Sequence, residues 1–187
     1  LVTIRAMNPL FLFDKRVLIT GGTGSLGTRL TSHLLAQGNT VCCYSRDELK
    51  QAEQEQRFRS NATQLRYFLG DVRDRDRLRE SLAGVDVVVH AAALKRVDAV
   101  AYSPEEVIKT NVLGTINVIK EAQTRGVSKV LLLSSDKAVE PANIYGASKL
   151  MAEFYAVQAN GVTQPTGTTV SVLRYGNVTA SRGSVLR

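Results

Sequence analysis

Short apolar runs alternate along this chain with longer stretches in which apolar residues recur every third or fourth position. The short runs are Arg16–Thr20, Thr40–Tyr44, Arg66–Leu69, Val85–His90, Lys129–Leu133 and Thr169–Tyr175. They read as strands covered on both faces. After the first, Leu26, Leu30 and Leu34 recur every fourth residue, which predicts a helix with one buried face. Glu48 to Ser60 is polar and charged, a solvated helix with little chemistry of its own. Glu105 to Gln123 carries Ile108, Val112, Ile116 and Ile119 at helical spacing, and Ile144 to Val157 carries Leu150, Phe154 and Val157. Asn111 falls inside the first of these two helices, a poor position on propensity, so a packing or hydrogen-bonding role is expected of it. Six strands alternating with helices predict an α/β fold with a doubly wound parallel sheet.

Ligands of such sheets bind beyond the carboxyl ends of the strands. The small and polar residues of this chain collect there: Gly21 to Gly27, Ser45 and Arg46, Asp71, Ala91 to Ala93, Ser135 to Lys137, and Asn177. Gly21, Gly24 and Gly27 follow the first strand without a gap and open a helix. They permit a tight turn, close approach of a pyrophosphate, and helix–strand packing, while the free N–H groups at the helix start favour phosphate. A purely structural turn is the plain alternative. At the end of the second strand a carboxylate would accept the 2′-hydroxyl of NAD, whereas Ser and Arg hold a 2′-phosphate. Ser45 and Arg46 come first, so NADP is expected ahead of NAD, with Asp47 a competing signal because its side chain could turn inward instead. Asp71 is placed to meet the adenine amino group, to cap the next helix, or to do both. The small residues Ala91 to Ala93 let a cofactor lie across the fourth strand's end, and His90 reads as a packed residue, since no carboxylate stands beside it in sequence.

Charge narrows the ligand. The 187 residues carry a net charge of +7, but the cations are scattered over helical segments without interleaved aromatics. Nucleic acid is therefore not the expected partner, and an anionic small molecule such as a nucleotide sugar suits the balance. Cys42 and Cys43 are adjacent in a strand, pointing to opposite faces. They form neither a disulfide framework nor a metal site, so a reducing, cytoplasmic setting and no metal are expected. No apolar run approaches the roughly 20 residues of a membrane span. The chain begins at Leu1, six residues ahead of an initiator candidate at Met7, and ends at Arg187 just after the sixth strand. It reads as a fragment: a lead-in over residues 1–14, then one nucleotide-binding domain over 15–187 whose substrate-binding part is missing.

Tyr145 and Lys149 stand four residues apart on the helix after the fifth strand, and so share a face. An ammonium beside a phenol favours the phenolate, lowering its pKa from about 10. Such a tyrosine takes a proton from a hydroxyl while a hydride leaves the carbon. Taken alone the spacing is weak, and an ordinary amphipathic helix would also show it.

The whole pattern resembles the extended short-chain dehydrogenase/reductases, and within them the inverting UDP-N-acetylglucosamine 4,6-dehydratases of polysaccharide biosynthesis. The carrying pieces are Leu18 to Ser25, Tyr44 to Glu48, Leu69 to Asp74, His90 to Lys95, Lys109 to Val112, Ser135 to Ala138, Tyr145 to Lys149 and Arg174 to Val178. The Ser-Asp-Lys-Ala and Ala-Ala-Ala-Leu-Lys elements are far more specific than the glycine loop. The resemblance implies a Rossmann fold, a UDP-linked amino sugar as substrate and a homo-oligomer. It implies that Gly21, Thr23, Gly24, Ser25, Leu26, Gly27, Ser45, Arg46, Asp71, Val72, Ala91, Ala92, Ala93, Lys95, Asn111, Tyr145 and Lys149 meet NADP. Lys95, Asn177 and Arg182 would meet the sugar nucleotide. Ser135, Asp136, Lys137, Tyr145 and Lys149 would be catalytic: Tyr145, backed by Lys149, takes the C4 hydroxyl proton as hydride leaves C4. Asp136 and Lys137, in an order left open, serve water loss across C5 and C6 and the inversion at C5; an exposed ion pair in a surface turn is their plain alternative. Ser135 stands where Thr is usual, Asp98 where Pro is, and Ala180 where Gly is, which bears on the exact substrate. Two other readings stay open. One is a UDP-sugar 4-epimerase, which needs Tyr145 and Lys149 but not Asp136 and Lys137. The other is a non-catalytic NADP-binding regulator, which needs the glycines alone.

Overall fold

The computed structural model describes residues 12–95, 102–160 and 167–176. The elements in order are β1 Arg16–Thr20, α1 Ser25–Ala36, β2 Thr40–Ser45, α2 Glu48–Arg57, β3 Leu65–Leu69, α3 Arg75–Ser81, β4 Val87–His90, α4 Pro104–Val107, a π-helical turn Ile108–Leu113, α5 Gly114–Thr124, β5 Lys129–Leu133, a 3₁₀ turn Asp136–Ala138, α6 Ile144–Gln158 and β6 Thr169–Leu173. All six strands are parallel, in the order β3-β2-β1-β4-β5-β6. The doubly wound sheet read from the periodicity is the one that forms. Its order reverses between β1 and β4, and a crevice opens there at the carboxyl ends of the strands.

Period-two alternation explains how each strand is covered. Val17, Ile19, Val41, Val87 and Val89 pack on one face with Leu34 and Leu35 of α1. Leu18, Cys42, Val88, Val130 and Leu132 face the other way, onto Leu78, Val118, Ile119, Ala122, Ala152 and Ala156 of α3, α5 and α6. Burying a Leu or Ile on either face contributes about 1.5–3 kcal/mol, so a one-residue slip in register, which exchanges the faces, is strongly opposed.

Three helical faces differ from their sequence reading. In α1, Leu34 is buried and Leu30 half-buried, but Leu26 is exposed at the mouth of the crevice. Gly27 and Thr31 take the inner face instead, because the helix start must lie against the glycine loop. On the α4–α5 run the buried apolar residues are Val107, Val112, Val118, Ile119 and Ala122, whereas Ile108 is exposed. The π turn shifts the face by adding a residue to one turn of helix. In α6, Phe154 and Val157 point outward at 64% and 60% exposure, and the inner face carries Tyr145, Ser148, Lys149, Ala152, Glu153 and Ala156. Among the described residues, no helix is long and apolar enough to cross a membrane.

Candidate active site

The loop after β1 is shaped by two glycines. Gly21 has φ +68°, a left-handed conformation, and a Cβ there would lie 2.9 Å from the Ala92 nitrogen. A Cβ on Gly27 would lie 2.5 Å from the Gly22 carbonyl oxygen, so only glycine lets α1 sit this close to the loop. Asp47, Asp74 and Asn143 cap α2, α3 and α6 through their side chains. At α1 the N-cap is Gly24, with no side-chain cap and no acid in the first turn. Its first N–H groups and positive dipole end therefore face a cleft of about 1230 Å³ lined by Gly21, Thr23 to Gly27 and Ala91 to Ala93. A cradle in which a Cβ on Gly21 or Gly27 would clash, beside uncapped donors, fits a pyrophosphate.

At the outer end, Ser45 is buried and its Oγ accepts a hydrogen bond from Gln51 Nε2 at 3.1 Å. The Arg46 guanidinium is half-exposed and reaches Asp71 at 3.3 Å. Asp47 does turn away: its Oδ1 accepts from the Lys50 amide at 3.0 Å as the cap of α2. Asp71 is not the cap of the following helix, because Asp74 fills that place and accepts from Arg77 N. Asp71 instead takes three hydrogen bonds from Arg73, at 2.7–3.0 Å. Burial works to raise the Asp71 carboxyl, but the bonds from Arg73 and the charge of Arg46 outweigh it and hold the group below the usual range. Val72 is buried against Gly114 of α5, and Lys95 is exposed at the cleft wall.

Asn111 lies in the π turn, 1% exposed. Its Oδ1 accepts from Leu94 N at 2.8 Å, and its Nδ2 donates to Leu94 O and to Ser148 Oγ, each at 3.0 Å. The residue that looked misplaced in a helix thus holds the strand-end segment Ala91 to Lys95 against α6. His90 is fully packed: Nδ1 meets Thr20 Oγ1 at 2.6 Å and Nε2 meets Thr115 Oγ1 at 3.0 Å. Thr115 donates its own proton to Asn111 O, so Nε2 is the protonated nitrogen. Burial, with the charge of Lys149 as a lesser cause, pushes the imidazole down to about 3, leaving it neutral and structural.

Tyr145 and Lys149 both line the cleft, 9% and 4% exposed. Lys149 Nζ donates to the Leu133 carbonyl at 2.6 Å. Burial pushes this ammonium down to about 8, opposed by Glu153. The Tyr145 phenol is raised, not lowered: burial raises it, a hydrogen bond with Ser135 opposes, and the charge of Asp136 adds to the rise. The expected pull from Lys149 is absent in this state, because the ammonium is directed at the β5 carbonyl.

Asp136 and Lys137 open the 3₁₀ turn beyond β5, held by Asp136 N donating to Tyr175 O at 3.0 Å. They pair at 3.1 Å with side chains 50% and 41% exposed, the exposed ion pair of the plain reading, yet both line the cleft beside Tyr145. Hydrogen bonds from Ser135 and then Lys137 hold the Asp136 carboxyl below its usual range. Asp136 is therefore ionised, able to accept a proton before it can give one. Asn177 and Arg182, like Asp98 and Ala180, lie outside the described residues.

Two contributors carried no weight in the sequence reading. Gln54, on the helix read as merely solvated, donates to Gly22 O at 3.1 Å and braces the glycine loop; its neighbours in sequence gave no signal. Glu153, buried behind Lys149, did leave one: it continues the four-residue spacing of Tyr145 and Lys149.

A family model described as "Polysaccharide biosynthesis protein" matches residues 17–187. A UDP-N-acetylglucosamine 4,6-dehydratase (inverting) of Campylobacter jejuni is 50% identical over 92% of this chain and 52% of its own length. A UDP-glucose 4-epimerase of Rickettsia conorii is 44% identical over 92% of this chain and 52% of its own. The chain thus spans about half the length of the curated relatives it matches. Among solved structures, Pen from Bacillus thuringiensis superposes with a TM-score of 0.91 at 41% identity, over 94% of this chain and 56% of that one. DesIV, a dTDP-glucose 4,6-dehydratase from Streptomyces venezuelae solved with NAD bound, gives a TM-score of 0.75 at 27% identity, over 85% of this chain and 55% of that one.

Proposed function

The chain belongs to the polysaccharide biosynthesis protein family, and from that premise we propose that it forms the cofactor-binding part of an NADP-dependent, inverting UDP-N-acetylglucosamine 4,6-dehydratase, a hydro-lyase. The observation that carries this reading is the meeting of Tyr145, Lys149, Asp136 and Lys137 in the cleft that opens from the glycine loop. The cradle around Gly21, Gly24 and Gly27 would hold the pyrophosphate, and the exposed edge of Arg46 would meet a 2′-phosphate. When bound, the cofactor would supply a site that takes up and returns a hydride. Tyr145 would take the C4 hydroxyl proton, with Lys149, cationic below about pH 8, stabilising the phenolate as it forms. Asp136 and Lys137 would serve the C5 proton and the departing C6 hydroxyl, and the ionised state of Asp136 favours its starting as the proton acceptor. Lys95, Asn177 and Arg182 are the proposed contacts to a UDP-linked amino sugar. The domain boundary at residue 15, a cytoplasmic location and a homo-oligomer belong to the same proposal; the exposed stripe of Met151, Phe154 and Val157 is a surface that such an assembly could cover.

The likeness to UDP-glucose 4-epimerases supports a second reading on the same scaffold. Asp136 and Lys137 favour the dehydratase, since epimerisation leaves them without work, and the buried Tyr145–Lys149 pair counts against a mere NADP-binding regulator. The deciding experiment incubates the whole protein with NADP and UDP-N-acetylglucosamine and follows the sugar by mass. Loss of one water supports the proposal. An unchanged mass with a new sugar means epimerase, and no turnover with cofactor bound means a regulator.

A further inference from the structure

Lys149 is a cation in a buried place, and its hydrogen bond to the Leu133 carbonyl is a bond to a neutral group. One helical turn beyond it on α6 lies Glu153, 6% exposed and on the same face as Lys149 and Tyr145. Its carboxylate is clamped: Arg174 Nε lies 3.0 Å from each oxygen, and Nη2 lies 2.5 Å from one of them. Arg174 directly follows β6 and precedes Tyr175, whose carbonyl accepts the Asp136 N–H. Glu153 therefore joins the helix bearing Tyr145 and Lys149 to the segment that holds Asp136.

Among the described residues the other buried acid is Glu121, satisfied by Arg75 and Arg79, away from the cleft. Glu153 differs because one of the cations acting on it, Lys149, is itself buried and lines the cleft. The groups around Lys149 are the neutral His90 from β4, the Leu133 carbonyl from β5, and Tyr145 and Glu153 on its own helix face; beyond them, Asp136 acts on Tyr145 and Arg174 on Glu153. Glu153 is the anion among them that works against the burial of Lys149. Burial works to raise Glu153 itself, but the hydrogen bond from Arg174, aided by the charges of Arg174 and Lys149, keeps it ionised.

We propose that Glu153 is a positioning residue: clamped by Arg174, it keeps Lys149 cationic and Tyr145 in register with Asp136. The proposal rests on the dehydratase reading for the roles of Tyr145 and Lys149, and its test is separable from that reading. In the whole protein labelled with ¹³Cε-lysine, the Lys149 resonance is the one lost in K149M, and its titration is read by NMR without sugar. E153Q should lower the titration point by about one pH unit, the effect of losing one nearby opposite charge. E153D, which keeps the charge, should restore it, and R174M, which removes the clamp but leaves the carboxylate, should lower it by less than E153Q does. If E153Q does not fold, E153Q/R174Q, whose amides can rejoin, carries the same comparison. An unmoved titration point in E153Q, or a drop in E153D as large as that in E153Q, overturns the proposal and leaves only a structural ion pair. The alkaline limb of turnover should move with Lys149. A moved titration with an unmoved limb would uphold Glu153's grip on Lys149 and count against the catalytic reading instead.

Discussion

Replacing Asn111 by Leu tests whether one amide holds the fourth strand's exit in place. Leu matches the size of Asn but offers no hydrogen bond. Three bonds vanish, and they are not equal. Ser148 Oγ keeps its own donation to Tyr145 O at 2.7 Å, so losing the bond from Asn111 costs it little. The Leu94 N–H and C=O lose the partners they have at 2.8 and 3.0 Å. A buried main-chain group left unpaired costs about 1–3 kcal/mol. Leu94 is half-buried, so the pair should cost about 2–4 kcal/mol, a large share of a typical stability of about 5–15 kcal/mol. With a urea m-value of about 2 kcal/mol/M, the midpoint should fall by about 1–2 M at unchanged slope. N111D supplies the sign. Its carboxylate can still accept from Leu94 N but faces Leu94 O with no proton to give, and burial raises its folded pKa above the unfolded value of about 3.9. A raised folded pKa means stability present at low pH and lost as pH rises. Compared with wild type at each pH, N111D should therefore be least impaired near pH 4 and most impaired near pH 8. A cost under about 1 kcal/mol for N111L, or an opposite pH trend for N111D, would show that Leu94 finds its partners elsewhere.

Two further outcomes follow from the site. Arg46→Ala should weaken NADP by about 1.5–3 kcal/mol, the scale of a charge-assisted hydrogen bond, and leave NAD almost unchanged; calorimetry with both cofactors checks it, and equal losses would remove Arg46 from 2′-phosphate recognition. His90→Gln should flatten the acid side of the stability profile. The folded imidazole titrates near 3 against an ordinary 6.5, so the unfolded chain binds the extra proton, and the native state loses about 2 kcal/mol between pH 7 and pH 5. Urea midpoints of both proteins at those two pH values should converge on acidification, and parallel profiles would mean that His90 charges inside the fold.

Strand positions were legible because parallel strands buried on both faces leave short, nearly unbroken apolar runs. The glycine loop was legible because its spacing answers a backbone requirement that no other residue meets. What spacing does not encode is depth. Tyr145 and Lys149 share a face as their separation requires, yet both are nearly buried, and desolvation, which no pattern displays, is the largest influence on each, raising the phenol and lowering the ammonium. Asp71 was ambiguous for a similar reason. Asp71 is held by Arg73, and Asp74, directly before α3, is the residue that caps it.

Helix α6 carries this point furthest. An amphipathic helix normally turns its apolar stripe inward, but here Tyr145, Lys149 and Glu153 occupy the inner face with small residues between them. Ala152 and Ala156 are fully buried, and their size lets the helix lie close enough to β5 for Lys149 to reach the Leu133 carbonyl. A larger residue at either position would push the ammonium off that carbonyl as it overpacked the core. The outward Met151, Phe154 and Val157 are the counterpart: a helix that spends its inner face on charge and hydroxyl has its apolar residues left for the outside. Their exposure is a consequence of where the chemistry sits. An apolar face of that kind is what a second protein surface would bury, and so the residues that set the proposed reaction on α6 also determine which side of the helix is free to associate.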